Sequence, residues 1–412
     1  MSSESPHVLI VGAGIGGLTL AQSLRKQGIS FEIFERDASP TARGAGYCLG
    51  LYDLDGLFGD ALPDDLPPLK TACHLLPTPL PSQIVFHLGP KQLAVTDSPE
   101  TPCLRVSRPR LREILSTNLD IQWGKQAERV EERDDGVTVF FADGSSASGT
   151  MLVGADGVFS GVRPHVMKKP NNEILTPFPS AVVLGDVQLG FAETEQQLKL
   201  GYSAHIAIGP GFALFSGLNK LNFGEDGRVV GGDFYWVISA PDDDVSKPDH
   251  WLKTATTQEK LSWAQSKVAT LQPQFRVTIN STKLEGVKEN AAWWDASIPE
   301  LPVVNRVLLI GDAAHPMTPT RGEGGIFAIR DAVLLGKILA ENVKSDYASL
   351  KEKLNEYQQG VCARGYEAIQ ISRATMSNGR PPNGLPRSWG HETRPIDAAR
   401  PFPIDLATWR AE

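Results

Sequence analysis

Cysteine is scarce in this chain of 412 residues, and the four present, Cys48, Cys73, Cys103 and Cys362, include no Cys-x-x-Cys pair. That spacing removes a zinc site and a redox dithiol, and it fits reduced thiols. No apolar run approaches the ~20 residues that a membrane helix needs. Met1 to His7 lacks the basic start, the long apolar stretch and the cleavage site of a secretory leader, so a soluble, cytoplasmic protein is expected. Blocks of Lys and Arg are also missing, and the net charge is -8. This balance argues against a nucleic-acid surface. With neither a Gly-x-Ser-x-Gly elbow nor a Ser-His-Asp order, hydrolysis has no support. Asp242 to Asp244 has no convergent ligands and reads as a solvated loop or helix cap rather than a metal site.

Apolar residues make up 41% of the chain and charged residues 21%, which allows either two domains or one elaborate one around a large core. The run from His7 to Val11 is apolar and β-branched, as a buried parallel strand would be. The turn Gly12-Ala13-Gly14-Ile15-Gly16-Gly17 follows at once. Leu18, Leu20, Ala21 and Leu24 then recur at helical spacing up to Gly28. Gly12 permits the tight turn, Gly14 lets the backbone approach a pyrophosphate, and Gly17 lets helix pack on strand. The helix start at Ile15 and Gly16 offers free N–H donors to phosphate. A second strand, Phe31 to Phe34, ends at Glu35 and Arg36, where the carboxylate can accept from ribose hydroxyls. An acid at that point disfavours a 2′-phosphate.

A second glycine motif lies far downstream. Arg306 to Ile310 reads as a strand and leads into Gly311-Asp312-Ala313-Ala314-His315-Pro316. Pro319 and Gly322-Glu323-Gly324-Gly325 then open a helix carrying Ile326, Ile329, Val333 and Leu334 at helical spacing. Between the two motifs, Arg43-Gly-Ala-Gly46 supplies a cation and flexible backbone. Arg108 to Leu115 reads as a helix with Pro109 in its first turn. Strand-like runs around Arg129-Val130 and Val137 to Phe141 precede Met151-Leu-Val-Gly154-Ala-Asp156-Gly157, with Ser160 and Arg163 beyond.

In this series the chain resembles the class A FAD-dependent monooxygenases, the aromatic-hydroxylase family, over roughly residues 7 to 370. The resemblance implies an α/β fold: a Rossmann-like, glutathione-reductase-like FAD-binding domain, an interleaved β-sheet substrate domain and C-terminal helices. It implies boundaries at 1–75, 108–180 and 300–345 for the FAD-binding domain, 76–107 and 181–299 for the substrate sheet, and 346–412 for the helix and tail. Its cofactor contacts would be Gly12, Gly14, Ile15, Gly16, Gly17, Glu35, Arg36, Arg43, Gly46, Arg108, Val130, Asp156, Gly311, Asp312, Pro319, Gly322, Gly324, Gly325 and Ile326. Family members usually carry Asn at the position of Ile326. A helix N-terminus after Gly322 would also stabilise negative charge on a reduced flavin.

The remaining segments alternate strand-like runs with turns: Ala181 to Leu184, His205 to Ile208, Phe212 to Phe215, Asp233 to Ile238 and Phe275 to Ile279. The resemblance makes these a sheet over the flavin, with Tyr202, His205 and Tyr235 as candidates for orienting or deprotonating a substrate. The tail from Arg380 is expected to wrap the surface or to be partly disordered. No second Gly-x-Gly-x-x-Gly follows a strand, so NAD(P)H is expected as a transient donor. The resemblance further implies that O2 reacts with reduced flavin to give a C4a-hydroperoxide. That species would transfer one oxygen atom to an electron-rich aromatic, polyketide-like or indole-like molecule, in a monomer or homodimer. An FAD-dependent dehydrogenase or oxidase without oxygen transfer, and a flavin-binding regulatory or carrier protein, are the alternatives.

Overall fold

The computed structural model describes residues 6–42, 46–52, 54–288, 292–377, 387–388, 391–396 and 401–411. From the N-terminus, β1 (Val8–Val11), α1 (Ile15–Lys26), β2 (Phe31–Glu35), β3 (Cys48–Tyr52) and α2 (Leu54–Phe58) lead to a hairpin, β4 (Gln83–Leu88) and β5 (Lys91–Thr96). Next come β6 (Cys103–Ser107), α3 (Arg108–Leu115), β7 (Ile121–Trp123), β8 (Ala127–Glu132), β9 (Val137–Phe141), β10 (Ser146–Gly149) and β11 (Met151–Gly154). Short helices α4 (Arg163–Met167) and α5 (Asn171–Ile174) precede β12 (Thr176–Pro177), β13 (Ser180–Gly190), α6 (Phe191–Leu200), β14 (Ala204–Gly209), β15 (Phe212–Phe223) and β16 (Val229–Pro241). The chain continues through α7 (Trp251–Thr254), α8 (Thr257–Val268), α9 (Pro273–Asn280), β17 (Trp294–Asp295), β18 (Val307–Leu309), α10 (Gly324–Glu341) and α11 (Tyr347–Ser377). Short strands β19 (Arg387–Ser388), β20 (His391–Glu392) and β21 (Arg394–Pro395) lie near the end.

Four consecutive apolar residues in β1 are buried on both faces, as a central parallel strand requires. It sits in a five-stranded sheet of order β18-β11-β1-β2-β7 whose pairings are all parallel. The chain leaves β1 toward β2 on one side and later returns as β11 on the other. The carboxyl end of β1 is therefore a switch point, where open α/β sheets bind ligands. The register aligns Val11 with Phe34 and Gly154, and Gly154 with Leu309, so three motif-bearing turns leave one edge together. Helix α1 packs on α10 through small residues: a Cβ on Gly16 would lie 3.2 Å from that of Ala328.

A seven-stranded sheet of order β13-β16-β15-β14-β4-β5-β21 forms the second layer. Helices α6, α8 and α9 cover one face, where Phe212, Leu214, Trp236, Ile238, Ala264 and Ile279 form a separate core. The segment expected as a strand from Phe275 to Ile279 is instead part of α9. Its β-branched residues suggested a strand, but Phe275, Thr278 and Ile279 are buried at helical spacing, and Pro273 at the first turn fits a helix start. Helices α6 and α8 also replace expected strand-and-turn structure. The start of α8 carries a complete capping box between Thr256 and Glu259, a readable signal.

In α10 the buried face runs through Ile326, Ile329, Ala332, Leu335 and Leu339, and Leu334 lies outside it, 41% exposed. Among the described residues of the tail, β21 adds to the edge strand β5, and Leu406, Phe402 and Trp409 pack against the second core; Arg380 and the rest of the tail lie outside the described residues.

Candidate functional site

Gly12 turns the chain at φ +111°, where a Cβ would sit 2.4 Å from the carbonyl oxygen of Ala155. A Cβ on Gly17 would meet the Gly12 carbonyl at 2.0 Å, so helix and turn touch backbone to backbone. Gly14 differs, because the nearest protein atom to its Cβ position is 4.0 Å away. It precedes α1 without a side-chain cap, and the first turn holds no acidic residue. Helix N-terminal N–H groups beside an open glycine make a phosphate cradle. Glu35 closes the turn from the next strand: its carboxylate accepts from Ala13 N at 2.8 Å and Asp37 N at 3.0 Å, and Arg112 lies 3.5 Å away. Arg36 points to solvent and Val130 is buried opposite Val139 in the small sheet of β8, β9 and β10. Gly46 takes a left-handed φ of +63°. Arg43 lies outside the described residues.

The turn after β11 is built by Asp156. One carboxylate oxygen accepts from the backbone N–H of Gly161 at 2.7 Å, while the other, Oδ1, is buried without a partner. Burial raises the pKa of this carboxyl. Such an orphan acceptor beside the switch point suits the hydroxyls of a bound dinucleotide. Ser160 caps the next turn by accepting from Arg163 N at 2.9 Å.

Arg163 itself is a site residue beyond those selected from sequence. Fully buried, it donates to the carbonyls of Ala313 (2.8 Å), Asp312 (2.7 Å) and Val158 (2.8 Å), and to Asn171 Oδ1 (2.8 Å). One side chain thus ties the turn after β11 to the turn after β18. The Ser and Arg that follow Asp156 were its signal.

The late motif follows the same logic. Gly311 has φ +56°, and its N–H donates to buried Asp331 at 3.1 Å. His315 donates to Asp331 at 2.6 Å. Burial works against a charge on His315, but Asp331 outweighs it and the pKa is raised. Asp312 is half-buried. Burial raises its pKa, opposed by His315, Arg108 and Arg163. Pro319 starts a short turn that Gly322 ends at φ +67°, and α10 begins at Gly324 without a side-chain cap. A Cβ on Gly324 would lie 3.8 Å from Asp312 Oδ1, so this carboxylate stands beside the open helix start. Ile326 is fully buried in the core of the five-stranded layer.

Between the two layers runs the ribbon β3–β6. Leu49 and Val106 face the first core, with Leu49 about the Cβ position of Gly325 at 3.4 Å. Cys48 and Arg105 face the seven-stranded sheet, where Cys48 Sγ donates to Leu218 O at 3.3 Å and Arg105 donates to the phenol oxygen of Tyr235. Burial pushes the Cys48 thiol up to about 11 and the Tyr235 phenol upward.

The three catalytic candidates are not brought together. Tyr235 faces this ribbon, stacked on Phe215 with ring centres 5.4 Å apart. His205 pairs with Ser216 on the opposite face, against His87 and Phe275 under the helices, and burial pulls its pKa down to about 3. Tyr202 is buried in that same helix-covered core against Phe402.

A dinucleotide-binding α/β layer with a β-sheet roof defines a flavoprotein of the monooxygenase type. The chain belongs to the FAD binding domain family, which matches residues 5–370. It is 42% identical over 377 residues to the FAD-dependent monooxygenase thnD of Trichoderma harzianum, covering 89% of this chain and 92% of that protein. It is 30% identical over 390 residues to the FAD-dependent monooxygenase phnB of Penicillium herquei, covering 92% of each. A solved structure of Klebsiella pneumoniae HpxO with FAD and uric acid has a TM-score of 0.69 at 22% identity, covering 92% of this chain and 89% of that one, a likeness of fold. The protein is an FAD-dependent monooxygenase of the aromatic-hydroxylase-like family. Among the described residues, no helix is long and apolar enough to cross a membrane.

Proposed function

We propose that this monooxygenase takes electrons from NAD(P)H and inserts one atom of O2 into an electron-rich aromatic small molecule. The observation that carries the reading is the convergence of three motif turns at the carboxyl ends of β1, β11 and β18, with the β3–β6 ribbon between them and the seven-stranded sheet. Bound FAD supplies the electron storage and oxygen activation that no side chain here can supply. The uncapped start of α1 and the open Gly14 would hold its pyrophosphate, and Glu35 its adenosine ribose. Asp156, Arg108 and Asp312 would hold the ribityl end. The start of α10, with Gly322, Gly324 and Gly325, would offer backbone N–H donors to negative charge on the ring. In this reading the first layer is the FAD-binding domain and the seven-stranded sheet excludes water above it. Uric acid in the HpxO structure gives a precedent for a planar, electron-rich substrate in this fold.

The test follows the visible flavin spectrum anaerobically after NADH or NADPH is added, with and without phenols and indoles, and then supplies labelled oxygen. Faster bleaching with one compound and label in its product support the proposal. Flavin that no nicotinamide reduces, or product without label, moves the assignment to a dehydrogenase or oxidase.

A further inference from the structure

Asp331 is a carboxylate with no exposed surface, set in the body of α10. A buried carboxylate is costly unless donors match it, and this one has three from two other segments: Gly311 N at 3.1 Å, His315 Nε2 at 2.6 Å and Arg364 Nη2 at 3.2 Å. Gly311 and His315 bracket the turn that carries Asp312. Arg364 comes from α11, and it reaches Asp331 with its own side chain 38% exposed. Helix α11 meets the late motif through further residues at helical spacing. Tyr357 donates to the Asp331 carbonyl at 2.8 Å. Gln358 accepts from Leu309 N at 2.9 Å and donates to Leu309 O at 3.0 Å, so it completes the outer edge of β18 as a further strand would. Gly365 lies against His315, where an added Cβ would come within 2.3 Å of the His315 Cβ.

His315 is 2% exposed and faces two carboxylates, Asp331 in contact and Asp312 three residues earlier in the chain. Burial and an Nδ1 without a partner oppose a charge on the ring; the carboxylates favour it, and the balance raises its pKa. The neighbouring groups on α11 do not compete for the proton. Burial holds the Tyr357 phenol well above its ordinary value and pushes the Cys362 thiol up to about 12. Phe327 covers another side of the imidazole, with ring centres 5.8 Å apart. Beyond His315, the cations that bear on Asp312 are Arg108 and Arg163. With both carboxylates ionised, Asp312, Asp331, His315 and Arg364 together are neutral while the imidazole is protonated. Loss of that proton leaves the group with one negative charge.

We propose that Asp331 and Arg364 are positioning residues for FAD: through Gly311 and His315 they fix the turn that presents Asp312, and they set the pH at which that turn loses its imidazolium and holds the cofactor less tightly. This rests on the placement of Asp312 at the ribityl end of FAD, and on nothing in the oxygen-transfer reading. FAD carries a negatively charged pyrophosphate, so a turn that gains a negative charge binds it less well. By linkage, bound FAD holds the proton on His315 by the same factor. Helix α11 thereby belongs to the cofactor site, although none of its residues has to touch the cofactor.

The experiment measures the FAD dissociation constant of the full-length holoenzyme by dilution, at constant ionic strength and at a series of pH values from mildly acidic up to just below the ionisation of the flavin ring. Free FAD is read from its fluorescence. No reductant or substrate is present, so a failure of oxygen transfer leaves the measurement intact. The expected result is a weakening of roughly tenfold through one inflection above the ~6.5 of an ordinary histidine, the effect of one charge ~12 Å away at an effective dielectric of ~20. Asp331→Asn should move the inflection to lower pH and Arg364→Gln to higher pH, because the first removes a negative charge near His315 and the second a positive one. His315→Gln should bind FAD with the weaker affinity and show no inflection. A role in packing alone would weaken the variants without moving the inflection, and that result overturns the proposal. A flat profile in the unaltered protein, or an inflection that survives in His315→Gln, overturns it as well. Where Asp331→Asn does not fold, Arg364→Gln and His315→Gln decide. Asp312→Asn tests the placement beneath the proposal: equal FAD affinity in that variant overturns the placement and the proposal with it, whereas the other outcomes can fail with the placement intact.

Discussion

Arg163→Ala is the substitution whose effect can be worked out most fully from the structure. The guanidinium makes four hydrogen bonds of 2.7–2.8 Å, three of them to carbonyls in turns that leave β11 and β18. Bonds of this kind to a charged group are worth about 1.5–3 kcal/mol each, roughly 6–12 kcal/mol gross. Desolvation takes much of this back, as the pKa pulled down to about 10 by burial shows. A loss of about 3–5 kcal/mol remains for truncation, which leaves buried carbonyls without donors. Because Asp312 is held through its own carbonyl, its side chain should also lose its placement, and FAD retention should fall with stability. The assay is the urea midpoint of the flavin-free protein together with the flavin content of the purified holoenzyme. Arg163→Lys should recover little, since an ammonium cannot reproduce the planar fork. A stability change below about 1 kcal/mol with full FAD content would refute the argument, since that is the range of an ordinary surface substitution.

Gly14 and Gly17 of the first motif should fail in different ways. Gly14→Ala should leave the thermal midpoint of the flavin-free protein unchanged but weaken FAD binding, whereas Gly17→Ala should destabilise the flavin-free protein by about 2–4 kcal/mol through its clash with Gly12. Equal midpoints for the two would show that the motif is not packed as described. His74 and His205 are both held neutral, with pKa values pulled to about 3: burial dominates for each, joined by Arg105 at His74 and by His87 at His205. Between pH 3 and the ~6.5 of an unfolded histidine, only the unfolded chain takes up the proton, so stability is intact above pH 6.5 and falls with acidification. The slope should be about 1.4 kcal/mol per pH unit for each histidine, and His205→Gln should reduce it in acid denaturation curves. His205→Gln should also leave substrate-stimulated flavin reduction unchanged, and a large loss of that rate would return His205 to the reaction. Thr256→Ala removes the capping box of α8 and should cost about 1 kcal/mol by thermal melting, without changing FAD content.

The layer that holds the glycine motifs was legible because its signals are local. A buried strand reads as an apolar run, a phosphate turn as spaced glycines, and α3 as a proline followed by Leu111, Ile114 and Leu115 on one face. Arg163 could be seen as part of a pattern, yet its task depends on carbonyls at Asp312 and Ala313 that only the fold brings near. In the segment from Phe275 to Ile279, composition favoured strand while period favoured helix, and packing against the sheet decided for the period. Arg105 gave no signal at all, since an isolated arginine in a short strand reads as an exposed edge residue. Its burial follows from the pairing of β6 with β3 and from the sheet that covers both.

The failure to choose between Tyr235 and His205 has a definite physical source. In a sheet with one wet face, alternation of polar and apolar residues reveals which side chains point inward. Here both faces are covered, one by helices and the other by the β3–β6 ribbon, so β13 runs through six consecutive buried residues and the alternation disappears. Face is then decided by register alone: His205 pairs with Ser216 and Tyr235 with Gly217, adjacent positions on β15 and hence opposite faces. A slip of one residue in β14 would turn His205 to the ribbon face, and one in β16 would turn Tyr235 to the helix-covered face. The contacts on both sides argue for the observed register. His205 finds a ring neighbour in Phe275, and Tyr235 finds the donor that its oxygen accepts from. The substrate-facing residues of such a sheet follow from strand pairing, and residue type becomes informative only after the face is known.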